Sequence, residues 1–271
     1  MKIKHALASA SLLMATMTSM AAHLVIDTGT KQTLSTEQLL ARADATIIHV
    51  PDDVTYHRTM TYCAVPLRAL LGIAHLPSDQ EIQITGTDGS ITHLPASLLF
   101  NDVKPHATAS LAIESSDVPW PRAPGNGDTG PFYVAWTDAV ASHVKSEQWP
   151  YKVDAIRTAP TLAVKWPQIA VGNHVPADSP IRNGQTIFAT QCMACHMMNG
   201  AGDASLGPDL NLPHNPTEYF QPWALRQFIR DPKSIRAWSG MKMHGFDRAA
   251  MTDADLDAVI AYLRYMAGHR K

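Results

Sequence analysis

Cysteine is scarce in this chain, with three residues in 271. That is too few for a disulfide scaffold, so their meaning depends on where they stand. A strong charge of either sign is also missing. Lys plus Arg number 22 against 24 Asp plus Glu, and no basic block occurs, which leaves no electrostatic footprint for nucleic acid. Beyond the first residues there is no apolar run near the roughly 20 residues that a membrane helix needs. Internal repeats and low-complexity tracts are lacking, which excludes repeat arrays and wholesale disorder. Proline is plentiful at 19 residues, and this argues against a helical bundle over the full length. With 45% hydrophobic and 17% charged residues, the chain can bury a core in one or two globular domains.

The first residues read as an address. Lys2 and Lys4 precede an uncharged stretch from Ala6 to Met17, and Ser19-Met20-Ala21 offers small residues for cleavage. This three-part pattern predicts a secretory signal peptide over residues 1–22, cut near Ala21 or Ala22. The apolar stretch is short for a membrane anchor. The expected product is a periplasmic protein with no membrane span in the mature chain.

The rest of the chain divides in two. Ile47 to Val50, Glu81 to Thr85, Phe132 to Trp136 and Tyr151 to Ile156 have the β-branched and aromatic content of strands. Ser35-Thr36-Glu37-Gln38 is a capping box before Leu39 and Leu40. Pro66 suits the first turn of a helix carrying Leu67, Leu70 and Leu71. Residues 166–180 hold Pro167, Gly172, Pro176 and Pro180 without a sustained period, as a linker would. Helical spacing takes over beyond them. The expected fold class is α+β, with a mixed, mainly-β domain at 23–165, a linker at 166–180 and an all-α domain at 181–271.

The strongest chemical signal is Cys192-Met193-Ala194-Cys195-His196. Two thiols three residues apart lie on one side of a helical turn, within reach of the two vinyl groups of a porphyrin. The next residue, a histidine, can offer its imidazole to the iron. C-x-x-C-H is the attachment pattern of c-type haem. Half of a zinc site is a competing reading, but no second cysteine pair completes it. A thioredoxin-like redox pair would need a strand–helix unit around it. One covalently attached haem c is the cofactor expected.

The flanks of the motif carry a resemblance. Gly184 and Phe188 precede Cys192 at steps of four, Gly207-Pro208-Asp209-Leu210 lies beyond it, and a last helix begins at the capping pattern Thr252-Asp253-Ala254-Asp255. That helix carries Leu256, Val259, Ile260 and Leu263. In these features residues from about 180 to 268 resemble a class I cytochrome c. The resemblance implies that Gly184 lets the first and last helices cross closely near Phe188 and Tyr262. It implies that the Pro208 carbonyl accepts a hydrogen bond from His196, and that a middle helix covers Tyr219 to Arg230. It also implies a sixth iron ligand in a loop before the last helix. Met243-His244-Gly245-Phe246 fits that place, with His244 where proline is usual. Met243 is the ligand expected, and Met241, Met251 and His244 are its rivals.

Thr61-Tyr62-Cys63-Ala64-Val65-Pro66-Leu67, with Leu70 and Leu71, resembles a stretch of the sulfite-oxidase-type molybdopterin domain. Thr85 to Gly89, Gly130-Pro131-Phe132 and Trp149-Pro150-Tyr151 extend the likeness loosely over about 100 residues. The family's metal-holding Cys-x-Gly-Asn-Arg segment is missing, and Cys63 falls at a different point. The resemblance therefore implies a fold and not the cofactor.

Beside a haem sensor or ligand-binding protein with an open iron position, two functions fit these features. One is a periplasmic monohaem c-type cytochrome that passes single electrons between redox protein partners, a dehydrogenase and/or an oxidase, with the first domain as a docking module. This electron carrier has no catalytic residues of its own. The other is a molybdopterin-dependent, sulfite-dehydrogenase-like oxidoreductase fused to its own haem acceptor.

Overall fold

The computed structural model describes residues 22–125, 127–204 and 206–270. The expected signal peptide, apart from Ala22, lies outside the described residues. Nine strands among the described residues form two sheets. β1 (His23–Asp27), β2 (Lys31–Ser35), β5 (Gln80–Gly86), β6 (Ile91–Pro95) and β9 (Val153–Pro160) make a five-stranded sheet in the order β2-β1-β9-β5-β6. β3 (Thr46–Asp53), β4 (Arg58–Pro66), β7 (Thr108–Ile113) and β8 (Phe132–Thr137) make a four-stranded antiparallel sheet in chain order. In the first sheet β1 and β9 run parallel, and the other neighbours are antiparallel. Leu24, Ile26, Ile82, Ile84 and Ile156 from one sheet share a buried core with Tyr62, Leu111 and Val134 from the other. The strand period of two then sends Glu81 and Gln83 to the opposite face of β5, where they are also buried.

The four expected strands are present in β3, β5, β8 and β9. The last starts later than its sequence pattern, because Lys152 has a positive φ of 53° and Tyr151 bridges to Tyr133 instead. Short helices α1 (Thr36–Leu40), α2 (Leu67–Leu71) and α3 (Ala96–Leu99) close strand ends. The capping box of α1 forms: Gln38 N donates to Ser35 Oγ, and Ser35 N donates to Gln38 Oε1. Pro66 sits just outside α2 as its N-cap, since its backbone still pairs with Ser110 in the β4–β7 ladder.

After β9 the chain turns helical. α4 (Leu162–Lys165) leads into the single turn Pro167–Ile169. Ile169, Val171 and Val175 of the connecting stretch are buried in the second core. Tyr262 donates to the Ile169 carbonyl at 2.8 Å. The linker residues are thus strapped onto the helical domain. That domain contains α5 (Pro180–Ile187), α6 (Pro216–Tyr219), α7 (Pro222–Arg230), α8 (Pro232–Ile235) and α9 (Asp253–Ala267). The expected middle helix from Tyr219 to Arg230 is in fact two helices. Pro222 forces Gln221 out of the helical region, to ψ 142°, and α7 starts afresh behind it. The two-domain α+β architecture otherwise matches the sequence pattern.

α5 and α9 cross at Gly184. A Cβ there would lie 2.0 Å from the Ala258 carbonyl oxygen and 2.8 Å from Tyr262 Cβ. Phe188 packs on Tyr262 with ring centroids 5.2 Å apart. The backbones therefore touch directly, as the resemblance implied. Thr252 caps α9 reciprocally with Asp255.

Candidate haem site

α5 widens into one π-turn at Phe188–Cys192 and then ends. In the tight turn beyond it, Cys195 N and His196 N both donate to the Cys192 carbonyl, at 3.1 and 2.8 Å. This turn gathers the two thiols and the imidazole. Both cysteines are free and half-buried. Burial foremost, with the Glu147 charge adding, pushes each thiol up to about 12. Neither is the low-pKa thiolate that a dithiol redox couple uses. Among the described residues no group of three or more His, Cys, Asp and Glu side chains could hold a metal ion.

His196 is held on one side only. Its Nδ1 donates to the Pro208 carbonyl at 2.8 Å. A Cβ on Gly207 would come within 2.4 Å of the imidazole, so the ring packs against backbone at a distance that glycine permits. Nε2 makes no hydrogen bond among the described residues, and burial lowers the pKa of the ring. A neutral imidazole with Nδ1–H donated and Nε2 open is the form that binds iron. The donor set therefore fits a c-type haem.

The loop behind His196 is braced by residues that sequence reasoning missed. Asp209 accepts backbone N–H groups from Asn199, Gly200, Asn211 and Leu212. Asn199, Asn211 and Asn215 are buried in a row. Asn211 Nδ2 donates to Asn199 and to the Met266 carbonyl, both at 2.7 Å. Asn215 Nδ2 donates to Asn211 at 2.8 Å and to the Leu263 carbonyl at 2.9 Å. These bonds tie the loop to carbonyls in the last two turns of α9. The only signal in the sequence was Asn211 and Asn215 four residues apart, and two residues make no period.

Met243 lies half-buried on a loop clamped to the end of α7. Gly245 presses on the Arg230 backbone, where a Cβ would be 2.0 Å from its carbonyl oxygen. Phe246 is buried and its N–H donates to the Ile229 carbonyl. Arg230 reaches back to the carbonyls of Phe246 and Asp247 at 3.0 Å. Of the rival ligands, Met251 is fully enclosed in the second core, while Met241 is half-buried. His244 is engaged by the first domain: its Nε2 donates to Glu147 Oε1 at 2.8 Å, and that carboxylate raises its pKa.

The first domain borders this site closely. Ile91 N donates to the Ala194 carbonyl, between the two cysteines. On the outer face of the five-stranded sheet, His93, Gln83 and Arg157 are cross-strand neighbours. Gln83 Nε2 donates to Asp203 at 2.8 Å, and Lys165 Nζ donates to both its oxygens at 2.6 and 2.7 Å. Burial opposes the Asp203 charge, but Lys165 and Gln83 outweigh it and hold the carboxyl below its ordinary value.

The family model for Cytochrome c matches residues 181–267, so the C-terminal third of the chain is a cytochrome c domain, consistent with class I. Such a domain implies haem c and an electron-carrying role with redox partners. The first domain lies outside the matched residues. Comparison with curated proteins gives no match. Among the described residues no helix is long and apolar enough to cross a membrane.

Proposed function

We propose that the protein is a periplasmic monohaem cytochrome c that carries single electrons between redox proteins, with the first domain as a docking module. The observation that carries this reading is the His196 imidazole, anchored through Nδ1 to Pro208 and free at Nε2, one turn from two unpaired thiols. Cys192 and Cys195 attach the porphyrin as thioethers. His196 would ligate the iron through Nε2, with its tautomer fixed by the Pro208 carbonyl. Met243, on the Arg230-clamped loop, would offer its thioether as a further iron ligand. A haem c bound there supplies a one-electron couple at iron, with a thioether ligand raising its potential. Phe188, Met198, Met251 and Tyr262 line the second core and keep water away from it. No proton transfer is required of the chain.

The test is an optical and covalent-haem assay on protein matured with the c-type attachment machinery. Cys192→Ala and Cys195→Ala are each expected to lose stable covalent haem on denaturing gels. Met243→Ala is expected to keep the haem but to lose the weak long-wavelength band of thioether-ligated ferric iron. Full covalent haem in both cysteine variants would refute the reading. Stoichiometric molybdenum in the purified protein would favour the oxidoreductase instead.

A further inference from the structure

Three consecutive residues of the first domain each hold a different part of the cytochrome c domain. Lys145 Nζ lies 3.5 Å from Asp255 Oδ2, in the first turn of α9. Ser146 Oγ donates at 3.0 Å to Gln191, which precedes the first haem-motif cysteine. Glu147 Oε1 accepts from His244 on the loop of Met243. The segment is itself fixed to the first domain. Thr92 Oγ1 donates to the Glu147 carbonyl at 3.0 Å, Trp136 Nε1 donates to the Gln148 carbonyl at 2.7 Å, and Lys145 N donates to Gln148 Oε1 at 2.8 Å. Gln191 completes the triangle by donating to the Ala250 carbonyl at 3.1 Å, beyond the Met243 loop.

We infer that Glu147 is a positioning residue for the sixth-ligand loop: through His244 the first domain holds Met243 in place relative to the cysteine motif. This rests on Met243 being the ligand. His244 occupies a position next to the ligand where a rigid proline would stiffen the backbone from within. Here the stiffening comes from outside, by a hydrogen bond to a neighbouring domain. Glu147 is mostly buried, at 17% side-chain exposure, and His244 is half-exposed. The pair is thus fixed at the Glu147 end and gives the loop an anchor in addition to its clamp on α7.

The test uses the full haem-loaded protein. Glu147→Ala and His244→Ala should each weaken the long-wavelength band. Each should speed carbon monoxide binding to the reduced form about fivefold, equivalent to about 1 kcal/mol for a partly exposed ion pair. The double variant should be no worse than either single one, since both break one contact. Glu147→Gln keeps an acceptor oxygen and should restore both readouts toward wild type. Band and binding unchanged in the alanine variants, or effects that add in the double variant, would overturn the proposal. Met243→Ala separates the two readings. If that variant keeps the band, the ligand assignment falls and the role of Glu147 with it. If it loses the band while Glu147→Ala keeps it, only the inference falls.

Discussion

Replacing Gly184 with alanine sets two effects of opposite sign against each other. Helix propensity alone favours the change, because alanine in a helix interior is better than glycine by about 1 kcal/mol. Packing opposes it. The new methyl group would sit 2.0 Å from the Ala258 carbonyl oxygen and 2.6 Å from its carbon, well inside van der Waals contact. The obstacle is the backbone of α9, which cannot swing aside as a side chain would. The α5–α9 crossing must open by more than an ångström, and Phe188 and Tyr262 must then separate. Overpacking of this kind costs about 1–3 kcal/mol or somewhat more, so packing wins. We expect Gly184→Ala to be destabilised by about 2–3 kcal/mol, and the melting temperature of the helical domain to fall by roughly 10–20 °C. Thermal unfolding followed at the haem absorbance reads this domain by itself. A melting temperature that rose, or stayed within a degree or two of wild type, would show that the two helices do not meet backbone to backbone.

Asp53 supplies a pH-dependent prediction. It is buried and accepts from Tyr62 and Tyr133 hydroxyls and from the N–H groups of Thr55 and Tyr56. Burial foremost raises its pKa above 3.8, even against these donors. The folded chain therefore holds the proton to higher pH than the unfolded one. The stability this contributes is full below 3.8 and is lost as pH rises through the folded value. Denaturant unfolding of wild type should show this fall, and Asp53→Asn should flatten it; an equal slope in both would refute it. Asp53→Leu should cost about 2–4 kcal/mol, because it strands several buried donors. Asn211→Ala removes one donor from the Met266 carbonyl and one acceptor from Asn215 Nδ2, each of which keeps one other partner, so we expect a loss of about 1–2 kcal/mol and faster amide exchange at the end of α9; wild-type exchange there would count against the asparagine row.

The elements that could be read from the sequence are those whose cause is local. Ser35 with Gln38 and Thr252 with Asp255 cap their own helices, so a few adjacent residues announce them. The Cys192–His196 turn is likewise self-contained. Gly184 was legible through resemblance alone, since nothing in its neighbours says that Ala258 will meet it. The break before α7 was written in Pro222 but lost to the apolar period on either side. Contacts that join distant segments had no such signature. Glu147 and His244 are an ordinary acid and an ordinary histidine until the fold sets them 2.8 Å apart. The same holds for Gln83 and Asp203, and for Asp53 among its tyrosines. The connecting stretch lacked a period because Ile169, Val171 and Val175 are buried in the core of the helical domain and not against a long helix or sheet of their own.

The place of β9 has a consequence for the order of assembly. It is the middle strand of the five-stranded sheet, with the β1–β2 hairpin on one side and β5–β6 on the other. Until Val153–Pro160 has been synthesised, those two hairpins have no shared neighbour and the sheet cannot close. The strand that joins them also leads directly into α4 and the cytochrome c domain. Completion of the first half and the start of the second are therefore successive events on one short piece of chain, and a nascent polypeptide stopped just short of residue 153 would be left with an open, unjoined sheet.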